Sequence, residues 1–180
     1  MPSKHRFLSA VAAAALGFTV VACGERSGHA TPAHIPESLS RDGSSVVIGG
    51  PTAKTKVRLS MDPLCRLCGE FEATGAGPEL HAMTQRGEVQ VQYTFTASSG
   101  VASEKIVNAL RAALAEDKFV EYHKALRDGL ATMAARGVDE AELLALASRV
   151  PGLRGDRFDT AVRTMKYRSF VAVAGRAGQD

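Results

Sequence analysis

Residues 56–72 read KVRLSMDPLCRLCGEFE. The first half alternates, with Val57, Leu59 and Met61 on one side and Lys56, Arg58 and Ser60 on the other. A period of two predicts a half-buried strand. Asp62-Pro63 ends it, because proline brings no N–H to a ladder and suits a turn. A helix is then expected to start near Cys65 and to carry Phe71. Two cysteines therefore stand at a strand-to-helix junction, one helical turn apart.

The first N–H groups of a helix have no intrahelical partners, and with the helix dipole they favour an anion. A thiolate at Cys65 is such an anion, so its pKa is expected to fall below the free value. Cys68 lies one turn on, on the same face, within bonding reach of Cys65. Arg66 between them adds a positive charge that favours the thiolate, and Leu67 offers only apolar contact. The pair can be read as a redox couple, as half of a metal site or as an inert clip. Zinc needs about four ligands, and the sequence holds no second CxxC. His81 and His123 stand at no ligand-like spacing and are expected at the surface or at helix caps. An inert bridge across so short a loop restrains little of the unfolded chain. The redox couple fits best, with Cys65 as nucleophile and Cys68 as resolving thiol.

The chain has 180 residues, enough for one domain with its own core. It carries 22 basic and 19 acidic residues; setting aside Lys4 and Arg6 leaves 20 against 19. Near-neutrality gives no support to nucleic-acid binding. Three cysteines are too few for a disulfide-stapled scaffold. Residues 1–22 have the makings of a secretory signal: a basic start at Lys4, His5 and Arg6, then an apolar run from Phe7 to Ala22. That run is short of the roughly 20 residues a membrane-spanning helix needs. Val20-Val21-Ala22-Cys23 resembles a bacterial lipobox, which implies a lipid on Cys23 and a location on the extracytoplasmic face of the cell membrane. There thiols can oxidise. A flexible tether is expected over 23–45, where Gly, Ser, Pro and Thr abound without apolar periodicity. His29 and His34 within it read as polar spacers.

Beyond the tether, Val46-Val47-Ile48 predicts a first strand, closed by Gly49-Gly50-Pro51. Pro78 suits the first turn of a second helical piece after the cysteines. Residues 88–95, EVQVQYTF, alternate again. Thereafter the period is helical. Ser103 is expected to cap a helix bearing Ile106, Leu110 and Leu114. A second run carries Phe119, Tyr122, Leu126 and Leu130. Asp139 with Glu142 forms a capping-box pattern before Leu143. Asp156 opens one last helix with Phe158, Val162, Met165 and Ala172.

The run Met61 to Cys68, followed by Phe71-Glu72, resembles the active-site segment of DsbA-like thioredoxin-fold proteins. Ile48-Gly49 and Pro51-Thr52-Ala53 resemble the entry to that domain. The resemblance implies an α/β thioredoxin-like fold over 46–180, with a helical insertion at about 101–154. It implies a thiol-disulfide oxidoreductase acting on exported protein thiols or disulfides, with a membrane redox partner and no organic or metal cofactor. It assigns Cys65 as the exposed nucleophile and Cys68 as the buried resolving thiol, with Arg66 and Leu67 tuning the redox poise. In that family a cis-proline loop, a strand pair and a closing helix follow the last helix. This chain reaches Asp180 before any such segment, so an incomplete C-terminal part is expected. The alternative function is a non-catalytic thioredoxin-like lipoprotein, acting as a binding module or an inactive fragment.

Overall fold

The computed structural model describes residues 34–177. The signal segment, Cys23 and the first part of the tether lie outside the described residues. Four strands form one sheet: β1 (Glu37–Leu39), β2 (Val46–Ile48), β3 (Thr55–Met61) and β4 (Val89–Phe95). Their order is β1-β2-β4-β3. β2 runs antiparallel to β1 and β4, while β3 runs parallel to β4 with Val57 opposite Val91 and Met61 opposite Phe95. Two helices link the parallel strands, α1 (Arg66–Ala73) and α2 (Ala76–Gln85). Five more follow: α3 (Val101–Leu114), α4 (Phe119–Arg136), α5 (Glu140–Ala147), α6 (Asp156–Arg163) and α7 (Arg168–Ala177).

The alternation in β4 is the plainest link between sequence and packing. Val89, Val91, Tyr93 and Phe95 are buried, and the residues between them are half-buried. β3 follows the same period: Val57 and Leu59 are half-buried and Met61 is buried. α3 is the hub of the helical block, since it touches α4, α5, α6 and α7. Its buried set, Ile106 to Leu110 and Ala112 to Leu114, covers most of its surface. From Ile106 onward neighbours cover all of it but Arg111, and its buried positions there are apolar apart from Asn108.

Three expectations change. The tether does not extend to residue 45: Ile35 is buried, and Glu37–Leu39 is a strand paired with β2. Its sequence, ESL, is too short and too polar to announce itself by alternation. Ser103 does not cap α3, whose cap is Gly100. The Ser103 hydroxyl instead donates to Asp62 at 2.7 Å. Pro78 is the third residue of α2 and so falls within its first turn, as expected. The single last helix is two helices, broken at Met165, whose φ is +50°. Fully buried Asn108 spans the break: its Nδ2 donates to Ala161 O at 3.1 Å and its Oδ1 accepts from Tyr167 N at 2.8 Å. Asp139 does cap α5, accepting from Glu142 N at 2.8 Å.

Candidate redox site

The junction after β3 is built by Asp62. Cys65 N donates to Asp62 O at 3.0 Å, closing a turn with Pro63 at its second position. The Asp62 carboxylate accepts four further bonds: from Leu64 N and Ser103 Oγ on Oδ1, and from Ser98 Oγ and Ser99 N on Oδ2, all at 2.7 to 2.8 Å. It ties the turn that presents Cys65 to the loop after β4 and to α3. Burial alone would raise its pKa, but these bonds outweigh burial and lower it.

Cys65 is the N-cap of α1. Its Sγ accepts the Cys68 N–H at 3.3 Å, while its carbonyl takes Gly69 N at 3.0 Å. Both cysteines are free thiols and half-buried. Their environments push them apart. Hydrogen bonds from the Cys68 thiol and N–H lower the Cys65 pKa, against weaker opposition from burial and the Asp62 charge. Burial, then the proton shared with Cys65, pushes Cys68 up to about 11. One sulfur is therefore poised as an anion and the other held as a thiol.

Arg66 and Leu67 lie between the pair in sequence but not in space. Arg66 reaches forward to Glu70, one turn on, in an exposed ion pair. Leu67 is 65% exposed. It gives the surface beside the thiols a bare apolar side chain. An open groove of about 690 Å³ runs alongside, between α1 and α4, floored by Leu64, Gly69, Ala73 and Leu130.

Two functional candidates were not visible as such in the sequence. Glu72 is the buried residue of α1, at 6% exposed, whereas Phe71 is only half-buried. His123, expected at the surface, is 8% exposed. Its ring stacks on Phe119 at 5.2 Å and meets Tyr93 edge-on at 5.2 Å. Its Nε2 lies 3.4 Å from Glu72 Oε2. Burial would raise the Glu72 pKa, but His123 and Arg127 outweigh it and hold the carboxylate low. Among the described residues no group of histidine, cysteine and carboxylate side chains is placed to hold a metal. No described helix is long and apolar enough to cross a membrane.

No family model matches the chain, and no curated protein matches it by sequence. Solved structures do resemble it. BdbD from Bacillus subtilis, in its oxidised form, aligns with a TM-score of 0.67 at 18% identity, over 81% of this chain and 80% of that one. MdbA from Actinomyces oris, a thiol-disulfide oxidoreductase, gives 0.63 at 17%, over 76% and 72%. The reduced form of the disulfide bond oxidoreductase DsbG from Mycobacterium tuberculosis gives 0.61 at 24%, over 77% and 74%. The chain thus has the mixed α/β, thioredoxin-like fold with inserted helices that these proteins share.

Proposed function

We propose that the chain is a DsbA-like thiol-disulfide oxidoreductase that works outside the cytoplasm. Cys65 attacks or is attacked, and Cys68 opens or closes the internal disulfide. The substrates are thiols or disulfides of exported proteins, and a membrane redox partner resets the pair. A lipid on Cys23 holds the protein at the membrane. The observation that carries this reading is the position of Cys65 Sγ as the cap of α1, bonded to the Cys68 N–H beside a second free thiol. A helix N-terminus and a neighbouring donor are what lower a cysteine pKa and make a thiolate at working pH.

Alkylation rate against pH tests it. Cys65 should react with an apparent pKa well below about 8.5, and the protein should exchange with a model disulfide. Cys65→Ser should abolish both. A normal pKa without exchange would sink the proposal. Among the described residues β3 lies at an edge of the sheet, beside the pair, and this favours a second reading, a binding module that accepts a partner strand. That reading gains if the thiols are ordinary and inert.

A further inference from the structure

A second groove opens beside the Asp62 turn, and the exchange chemistry above makes no use of it. It encloses about 590 Å³ between the end of β4, α3 and α7. That is within the roughly 300–1,000 Å³ typical of ligand pockets. Its mouth is bonded to the residues that lead into Cys65: Thr96 N donates to Met61 O at 2.9 Å, and Ser98 Oγ to Asp62 Oδ2 at 2.8 Å. β3 and β4 run parallel and both end here. In open sheets, ligands bind outside the carboxyl ends of parallel strands.

The floor of the groove is apolar, made by Ala97, Met165, Val171 and Ala172. Its charge comes from Arg168 and Arg176, both exposed on α7. The neighbouring arginines are matched: Arg154 and Arg163 pair with Asp159, and Arg157 pairs with Glu116. Among the described residues Arg168 and Arg176 take part in no ion pair, although Glu104 of α3 also lines the groove. Residues 160–177 hold four basic side chains and no acidic one. The groove between α1 and α4 differs in this respect, since Arg66 pairs with Glu70 and Lys124 with Asp128.

We propose that the α3–α7 groove is a charge-selecting substrate subsite, which takes an extended, acidic segment of the exported protein. This rests on the redox reading of Cys65 and Cys68. Charge complementarity names the occupant: two unmatched guanidinium groups favour carboxylates, and the floor between them favours apolar side chains. Eight residues of helix separate the two arginines, or about 12 Å. An extended segment covers that span with roughly four residues, so acidic side chains about four positions apart fit best. A concave floor suits a chain segment better than a flat bilayer.

The test uses the full chain carrying Cys23→Ser, reduced, under stopped flow. The probes are peptides of equal length, each with its one cysteine activated as a pyridyl mixed disulfide. One has two glutamates four residues apart beside the cysteine, one has lysines there, and one has glutamines as the reference. Cys65 Sγ attacks the peptide sulfur and bonds to it. Pyridinethiolate leaves with the electron pair and takes a proton from water, and its absorbance gives the rate. At low salt the glutamate peptide should react about tenfold faster than the lysine peptide, and the ratio should shrink as salt rises. Arg168→Glu with Arg176→Glu should invert the order. Arg168→Gln with Arg176→Gln should flatten it, and carries the comparison should the reversed pair not fold. Arg41→Glu with Arg149→Glu, which changes the same charge at exposed positions outside the groove, should keep the order. A wild-type ratio near one at low salt, or equal loss in both reversed pairs, overturns the subsite and leaves the redox couple standing. So does a reversed pair that weakens adsorption to phosphatidylglycerol vesicles while the peptide ratio stays as in wild type. A wild-type chain that releases no pyridinethiolate from any peptide overturns the redox reading and this inference with it.

Discussion

Asp62 decides more about the site than its place in an Asp-Pro turn suggests. Its carboxylate gathers two loop N–H groups and two serine hydroxyls around the residues that lead into Cys65. Asp62→Ala leaves those donors short of a partner. It should cost about 3 kcal/mol in a urea melt. Because its folded pKa is lowered, Asp62 contributes stability above its unfolded value of about 3.9. That contribution disappears as pH falls through the folded value. Wild type should therefore lose stability between pH 5 and acid conditions (on the order of pH 3), and Asp62→Asn should show a flatter decline. Midpoints at several pH values decide it. The sequence revealed Asp62 as a turn former but not as an acceptor for Ser98, Ser99 and Ser103, which lie more than thirty residues away. Glu72 and His123 were hidden for a similar reason. A signal did exist: His123 falls four residues after Phe119 and three before Leu126, within the apolar stripe. A histidine there is enclosed, and an enclosed histidine needs a partner.

At the scale of elements, contacts between segments decide what local pattern does not. The start of α2 lies against the backbone of α1. A Cβ on Gly77 would come within 2.4 Å of Glu72 Cα and 2.6 Å of its carbonyl oxygen. Gly77→Ala must push the two helices apart, at about 1–3 kcal/mol, and should disturb the Glu72 region with it. Gly75→Ala meets nothing within 4 Å and should change stability by less than about 0.5 kcal/mol. Thermal melts of the two variants make the comparison. β1 has a comparable role at a distance. Glu37 accepts from Phe119 N at 2.8 Å and Val120 N at 3.1 Å, capping α4 from another part of the chain. Lys118, the residue in the cap position, makes no side-chain bond there. Glu37→Ala should cost about 1–2 kcal/mol, the loss expected for a cap, read from the urea midpoint. The strands β3 and β4 were legible because burial of one face imposes a period of two. β1 was not, since three residues carry no period. The break at Met165 was not either, because buried Asn108 imposes it from α3.

At the scale of the molecule, the described residues form a sheet with β3 at one edge and a helical block hung on α3. The helices up to α5 could be read from apolar periodicity; the joint between α6 and α7 and the reach of the folded unit back to Ile35 depended on long-range contacts. One local feature has a global consequence. In the reduced protein, Cys65 Sγ can bear a negative charge at the start of α1 and accept the Cys68 N–H. Bonding it to Cys68 removes that charge and leaves the first turn less well satisfied. The unfolded chain has no helix start and is indifferent to the change, apart from the small effect of closing so short a loop. Around the cycle of folding and oxidation, whatever favours the reduced fold must reappear as a tendency to accept electrons. The reduced chain should therefore melt a few degrees above the oxidised one. The free-energy difference between the two unfolding transitions equals the shift that folding imposes on the reduction potential of the pair, so calorimetry and a redox titration must agree on it.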